Sequence, residues 1–171
     1  MGLNGDERLW IGLASDHAGY ELKEFIEWLL EKRDIPYTDY GTYLPDSNNY
    51  AIFGHKLAYA IEKGEVKRGI GICGTGNGIN MTLNKYDSVR SALCWNEEIT
   101  RLARAHNDIN AMALPGRFIS HELTEKMVDI FLKTPFDGGR HQERVDTINK
   151  KVEGDISDLK SVLLRNYRHC I

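Results

Sequence analysis

The chain has 171 residues, of which 42% are hydrophobic and 27% are charged, a composition typical of one globular domain with its own core. The formal net charge of -3 excludes a general attraction to nucleic acid or to an anionic membrane, so any phosphate has to be bound locally. Three cysteines without regular spacing favour a reducing, cytoplasmic compartment over a disulfide framework. Neither a secretory signal nor an apolar run of the ~20 residues that a bilayer requires is visible.

Apolar runs alternate with amphipathic segments along the chain. In order, the patterns predict a strand over 9–14, a helix over 21–32, a strand over 36–39, a loop over 41–49 and a helix over 51–63. They then predict a strand over 69–73, a helix from about 79, a strand over 91–94, a helix over 97–106 and a strand over 111–114. A helix over 124–133, a loop over 134–140 and a last helix from about 143, with a break at 154, follow.

This alternation predicts right-handed crossovers and a parallel sheet with helices on both faces, which is an α/β fold. We predict one domain over 1–171, with a core at about 8–150 and a C-terminal helical extension at about 151–171. Ligands of such sheets bind at the carboxyl ends of the strands. The segments that follow predicted strands, and therefore form the candidate site, are Asp16-His17, Cys73 to Gly78, Trp95-Asn96 and Pro115 to Arg117.

The segment Cys73-Gly74-Thr75-Gly76-Asn77-Gly78 predicts an anion hole, because its glycines let successive N–H groups approach a ligand at the start of a helix. It lacks the Gly-Lys-Ser/Thr ending of a P-loop. Cys73 faces that helix start, which favours a thiolate able to take a proton from carbon while the N–H groups hold the resulting oxyanion. The alternative is a tight turn after a small buried cysteine.

Other polar groups allow two interpretations each. Asp16 and His17 either cap the next helix or contact a phosphate or hydroxyl. His106 either interacts with the dipole at the end of its helix or acts as an acid–base group. Arg140 and Arg144, spaced to share one helix face after Gly138-Gly139, suit a phosphate or form a solvated basic face. Arg117 is a third arginine available to a dianion.

Taken together, these segments strongly resemble ribose-5-phosphate isomerase type B, in the family that also contains the galactose-6-phosphate isomerase subunits. The resemblance runs from about Ile11 to Ile148. It is carried by Asp16-His17-Ala18-Gly19, Ile72-Cys73-Gly74-Thr75-Gly76, Asn84-Lys85, Val89-Arg90-Ser91-Ala92, His106-Asn107-Asp108, Gly116-Arg117 and Gly139-Arg140-His141-Gln142-Glu143-Arg144.

The resemblance implies a Rossmann-like three-layer α/β/α sandwich with a five-stranded parallel sheet. It also implies a homodimer or tetramer with sites between subunits, a sugar phosphate substrate of the pentose phosphate pathway, and neither metal nor organic cofactor. By the family pattern, Cys73 moves the proton between C1 and C2 and His106 helps to open the furanose ring. Thr75 and the N–H groups of Gly74, Gly76, Asn77 and Gly78 would stabilise the enediolate. Asp16 and Asn107 would contact sugar oxygens, and the phosphate would be bound by His17, Arg117, Arg140 and Arg144.

The chain departs from the family pattern at several positions. One branch uses a glutamate a few residues after the cysteine position, where this chain has Ile79, so the cysteine route is indicated. Asn49-Tyr50-Ala51 replaces the usual Asp-Tyr-Pro, which bears on the identity of the sugar. An isomerase for galactose 6-phosphate or allose 6-phosphate is therefore a close alternative. A non-catalytic phosphosugar-binding protein and a nucleotide-binding enzyme are further alternatives, the latter weakened because no acidic ribose anchor is in place.

Overall fold

The structure, a computed structural model, describes residues 10–150. Five strands form one sheet: β1 (Ile11–Ser15), β2 (Tyr37–Asp39), β3 (Arg68–Cys73), β4 (Ser91–Leu93) and β5 (Ala111–Pro115). Their order is β2-β1-β3-β5-β4, and every neighbouring pair is parallel. The helices are α1 (Tyr20–Lys32), α2 (Tyr50–Glu62), α3 (Asn77–Leu83), α4 (Glu97–Asn107), α5 (His121–Lys133) and α6 (Arg140–Thr147). The predicted α/β fold with a five-stranded parallel sheet is confirmed.

The two faces of the sheet carry side chains of different size. In β3, Ile70 and Ile72 pack with α1, α4 and α5, in one apolar cluster. The alternate positions Gly69 and Gly71 face the opposite way, where a Cβ atom would come within 3.0 Å of side chains from α2 and α3. Small residues on this second face let α2 and α3 lie close to the sheet, and the strand period of two places Cys73 on the same face.

Several helix boundaries differ from the predicted ones. Helix α5 begins at His121 because the Ser120 hydroxyl accepts a hydrogen bond from the Leu123 N–H at 3.2 Å. Helix α6 begins at Arg140 because Gly139, at φ 56° and ψ -130°, turns the chain into the helix. The predicted first residue of β1 at position 9, the extension over 151–171 and Cys170 lie outside the described residues.

No helix between residues 10 and 150 combines the length and the apolar character needed to cross a membrane.

Candidate active site

Two candidate segments meet at the carboxyl edge of the sheet, between β1 and β3. The strand order reverses here, since β2 lies on one side of β1 and the later strands lie on the other. Asp16 follows β1, and its N–H donates to the carbonyl of Ile72 at 3.2 Å. The Gly116 N–H donates to the carbonyl of Cys73 at 2.9 Å, which ties the end of β5 to the same edge. The tertiary structure thus brings together the polar segments after β1, β3 and β5.

The glycine-rich loop turns sharply from β3 into α3. Gly76 has φ +74°, and a Cβ atom there would lie 2.4 Å from a Leu93 methyl carbon and 3.0 Å from the main chain of Leu114. At Gly78 a Cβ atom would lie 2.5 Å from the ring of Tyr50. Both positions therefore need glycine, because β4, β5 and α2 pack directly against the loop where it enters α3.

The Arg117 side chain lies beside this loop. Its main-chain N–H donates to the carbonyl of Gly74 at 3.2 Å, and its Cδ and Nε atoms lie 3.6 and 3.7 Å from the position of a Cβ on Gly74. The guanidinium is exposed and makes no ion pair with any residue in 10–150. A positive group therefore lies beside the predicted anion hole.

Cys73 is a free thiol, only 4% exposed, at the last position of β3. It packs in the apolar cluster that also contains Ala14 and Ile79, on the α2 and α3 face. The thiol thus has the packing of a small apolar residue, and it also immediately precedes the glycine loop.

Asp16 and His17 have different surroundings. Asp16 is 6% exposed, and its Oδ1 accepts from the N–H groups of Ala18 and Gly19 at 2.9 and 3.0 Å. It caps the single 3-10 turn His17–Gly19, as one of the two interpretations predicted. His17 is partly exposed and pairs with Asn48 in the loop after β2.

His106 lies at the C-terminal end of α4 and stacks on His141 of α6. The ring centroids are 4.2 Å apart and the planes differ by 5°. His106 Nε2 also lies 3.8 Å from Oδ2 of Asp137. His141 is 8% exposed, and burial, followed by the charges of His106, Arg140 and Arg144, lowers its pKa. The lowered pKa disfavours a positive charge on His141, the ring on which His106 stacks.

Arg140 and Arg144 lie on α6 and are both exposed. Neither forms an ion pair with an acidic residue in the described range, although Glu143 and Asp146 are close in sequence. The two arginines therefore do not match the alternative of a solvated basic face, in which neighbouring carboxylates would neutralise them. Two free guanidinium groups spaced four residues apart suit a phosphate.

The one group of metal-type ligands found in residues 10–150 is His106, Asp137 and His141, whose ligand atoms lie within 4.8 Å of one another. Arg140 and Arg144 flank it on α6 and contribute positive charge at His141. Positive neighbours disfavour a cation and favour an anion, so this cluster is better suited to an anionic group than to a metal ion.

The candidate residues lie at opposite edges of the sheet within one chain. Helix α4 begins after the carboxyl end of β4 and runs back to the amino end of β5, so His106 and Asn107 lie at the amino edge. The loop before α6 joins them there, because the Asp137 N–H donates to the carbonyl of Ala105 at 2.9 Å. Cys73 lies at the carboxyl edge. The five residues of β5 separate the two edges by roughly 15 Å.

The sequence did not predict three contacts at these two edges. Asn48 holds His17, the Tyr50 ring covers Gly78, and His141 stacks on His106. The Gly-Gly-Arg-His pattern includes His141, but it does not predict that this ring stacks on His106. No local pattern connects Asn48 to His17, which lies 31 residues earlier.

Known proteins resemble this chain over most of its length. A family model described as Ribose/Galactose Isomerase matches residues 11–148. The chain is 38% identical over 138 residues to ribose-5-phosphate isomerase B of Escherichia coli K12, which covers 81% of this chain and 93% of that protein.

Two solved structures are similar over 82% of the chain. A ribose 5-phosphate isomerase from Thermotoga maritima matches with a TM-score of 0.81 and 44% identity, covering 97% of that chain. Ribose-5-phosphate isomerase B from Mycoplasma genitalium, solved with bound ribulose 5-phosphate, matches with a TM-score of 0.79 and 39% identity, covering 93% of its chain.

Proposed function

Because this chain belongs to the ribose/galactose isomerase family and is a sugar-phosphate aldose–ketose isomerase, we propose that it interconverts ribose 5-phosphate and ribulose 5-phosphate with Cys73 as the base. The free thiols Cys73 and Cys94 fit a reducing compartment, and we assign the activity to the cytoplasm.

The proton moves between two neighbouring carbons. The Cys73 thiolate takes the proton from C2 of the open-chain aldose, the C–H electron pair becomes the C1–C2 double bond, and O1 accepts the electrons of the carbonyl. The thiol then returns the proton to C1 while the C2 carbonyl forms, and the hydroxyl proton passes from O2 to O1. The reaction balances internally through a cis-enediolate and needs no external oxidant or reductant.

The glycine loop stabilises the negative charge on the enediolate. Thr75 and the N–H groups of Gly74, Gly76, Asn77 and Gly78 supply donors at the start of α3. Donors fixed before the reaction stabilise a developing oxyanion more than the ground state, which is how such loops accelerate proton abstraction. Asp16 contacts a sugar hydroxyl through the carboxylate oxygen that its capping bonds leave free.

A second copy of the chain completes the site. His106, which helps to open the furanose ring, and Asn107 come from the amino edge of the partner, together with Arg140 and Arg144 for the phosphate. His17 and Arg117 bind the phosphate from the edge that carries Cys73. This arrangement accounts for two sets of candidate residues at opposite edges of one chain, since two antiparallel copies place the edges against each other.

The single observation that carries the proposal is the meeting of a thiol, a sharply turned glycine loop and an exposed guanidinium at the carboxyl edge of the sheet, beside the switch point between β1 and β3. Proton abstraction beside a carbonyl needs these three: a base, oxyanion donors and a group that holds the charged substrate.

Replacing the base tests the mechanism. Cys73→Ala should lower kcat for ribose 5-phosphate by about 10²–10⁴-fold, the range for a general base, while calorimetry shows phosphosugar binding within a few-fold of wild type. Cys94→Ala is the matched control, because Cys94 is also a buried free thiol but packs among apolar residues of the opposite cluster. Turnover by the Cys73 variant at the wild-type rate would contradict the assignment.

A substrate panel tests the sugar. Aldose–ketose conversion and exchange of the C2 proton with solvent are measured for ribose, allose and galactose phosphates. We expect the highest kcat/KM with ribose 5-phosphate. Conversion of a hexose 6-phosphate alone would instead assign the enzyme to the closely related activity, and binding without proton exchange would identify a non-catalytic protein.

A further inference from the structure

The imidazole of His17 is held from the loop after β2 by Asn48. The His17 main-chain N–H donates to Oδ1 of Asn48 at 3.2 Å. In return, the Asn48 main-chain N–H donates to Nδ1 of His17 at 3.4 Å. Both residues are partly buried. This reciprocal pair connects the turn after β1 to a loop 31 residues later.

The other contacts of Asn48 fix the orientation of its side-chain amide. Nδ2 donates to the carbonyl of Asp46 at 2.8 Å and to Oγ1 of Thr42 at 2.9 Å. A main-chain N–H can only donate and a carbonyl can only accept, so Oδ1 has to face His17 and Nδ2 has to face Asp46. Thr42 is 5% exposed, and its N–H donates to the carbonyl of Ser15 at 2.8 Å. The amide is therefore anchored to the end of β1.

The same pairing determines the tautomer of His17. The Asn48 N–H has a proton to donate and no lone pair, so Nδ1 of His17 has to be the acceptor. The neutral ring then carries its proton on Nε2, which becomes the one nitrogen that can donate to a ligand. His17 also lines an open pocket of about 500 Å³ with Tyr20, Pro45 and His121, so a ligand has access to this residue.

We propose that Asn48 is a positioning residue for phosphate recognition, which fixes His17 as the Nε2–H tautomer and so presents one N–H donor to an anionic oxygen. The proposal rests on the proposed function in taking that anion to be the phosphate of the substrate. Asn48 acts only through His17 and does not touch the reacting carbons. Its loss should therefore weaken phosphate binding more than it slows proton transfer.

The test compares Asn48→Ala with wild type by two measurements. Alanine keeps the main-chain N–H of residue 48 but removes the side-chain hydrogen bonds that hold it against Nδ1 of His17. Nitrogen-15 NMR of the histidine rings should therefore show the Nε2–H tautomer of His17 in wild type and a mixture of both tautomers in the variant. The Kd for inorganic phosphate and the KM for ribose 5-phosphate should each rise by the reciprocal of the remaining Nε2–H fraction, roughly twofold for an equal mixture, while kcat stays close to the wild-type value. The tautomer is a readout that a purely structural effect would leave unchanged.

Two further variants separate the causes. Asn48→Asp keeps the Oδ1 acceptor and loses the Nδ2 donors, so its Nε2–H fraction of His17 should lie between those of wild type and Asn48→Ala. The added carboxylate repels phosphate by itself, so this variant is compared by its tautomer and not by its Kd. Asn49→Ala is the matched control: Asn49 accepts from the Ala51 N–H at 2.9 Å and caps α2, so its loss should lower thermal stability and leave the His17 tautomer unchanged.

The outcomes distinguish this proposal from the proposed function. An unchanged tautomer in Asn48→Ala, or a changed tautomer with unchanged phosphate affinity, overturns the role of Asn48. If His17→Ala itself leaves the Kd for phosphate unchanged, the assignment of His17 to the phosphate is wrong. Absence of ribose 5-phosphate turnover in the wild type would overturn the proposed function alone, because the tautomer and the phosphate affinity are measured without turnover.

Discussion

At the scale of single residues, the glycine-rich loop depends on a backbone conformation at Gly76 that residues with a Cβ atom rarely adopt. Gly76 combines a left-handed φ of +74° with contact distances that leave no space for a Cβ atom. Gly64, at the end of α2, has almost the same φ of +73°, yet nothing lies within 4 Å of its Cβ position. An alanine at Gly64 would therefore experience backbone strain alone, whereas an alanine at Gly76 would experience both backbone strain and a steric clash.

Alanine at these two positions should have unequal effects. Gly64→Ala should lower the free energy of unfolding by about 1 kcal/mol through backbone strain. Gly76→Ala should lower it by about 3 kcal/mol, because overpacking against Leu93 and Leu114 adds to the strain. Urea denaturation measures both values. Gly76→Ala should also reduce kcat by displacing the loop N–H groups, whereas equal stabilities would show that the predicted clash is relieved.

Cys94 predicts a dependence of stability on alkaline pH. Burial raises the pKa of its thiol to about 11, from 9.0. Above pH 9 the unfolded chain loses this proton and the folded chain keeps it, so stability falls as the pH rises from 9 to 11. Relative to Cys94→Ala, the wild type should lose about 2 kcal/mol of unfolding free energy over this window. If the difference in unfolding free energy between the two proteins does not change with pH, the thiol is not desolvated.

At the scale of elements, a buried ion pair joins α1 to β2 below the loop that carries Asn48. Lys23 is 1% exposed, and its Nζ lies 2.7 Å from carboxylate oxygens of Glu27 and Asp39. Burial by itself lowers the pKa of Lys23, but hydrogen bonds and charges from Asp39 and Glu27 outweigh it and raise the pKa. Asp39 in turn accepts from the N–H of Gly41 at 2.8 Å, so the ion pair supports the start of the loop.

Replacing Lys23 should therefore be costly. Lys23→Met leaves two carboxylates without their cation, and we expect the free energy of unfolding to fall by about 3 kcal/mol. Lys126→Ala is the control, because Lys126 pairs with Glu122 at 2.9 Å while both side chains are exposed. Such surface pairs contribute little to the free energy of unfolding, so this variant should unfold at nearly the same urea concentration as wild type. Similar losses in both variants would contradict the distinction between buried and exposed pairs.

At the scale of the whole molecule, the function proposed above requires a second copy of the chain, because the candidate residues lie at two edges of the sheet. One chain offers a base with oxyanion donors at the carboxyl edge and a histidine with two arginines at the amino edge. A proton transfer needs both within a few ångströms of one sugar, and the strands hold them apart. Two copies that face each other with opposite edges form two complete sites.

Mixing two inactive variants tests this arrangement. Chains carrying Cys73→Ala and chains carrying His106→Ala are unfolded together and refolded, so that half of the dimers are mixed. Each mixed dimer has one site with both wild-type residues, and activity should recover to roughly a quarter of wild type.

The control uses two residues from the same edge. Mixing Cys73→Ala with Thr75→Ala should give no activity beyond the sum of the separate variants, since each site takes both residues from one chain. Failure of the Cys73 and His106 mixture to regain activity would mean that both residues act within a single chain.

The local patterns of the sequence were enough to predict much of this fold. Alternation of apolar runs with amphipathic segments predicted the parallel sheet, because strands buried on both faces need continuous apolar residues and connecting helices need one apolar side. The rule that ligands bind beyond the carboxyl ends of strands selected Asp16-His17 and Cys73 to Gly78 as candidate site segments. The predicted starts of α5 and α6 were less accurate. These helices begin at His121 and Arg140, where the preceding cap residue decides the boundary.

By itself, the sequence determined the fold class, the glycine-rich loop with its thiol and the arginine pair of α6, since each is encoded by neighbours along the chain. Only the tertiary structure decided how these groups are distributed in space. It buried Cys73, stacked His106 on His141, paired His17 with Asn48 and placed His106 and Cys73 at opposite edges. The physical reason is that contacts between residues far apart in the chain depend on strand order and helix direction, which no local pattern records.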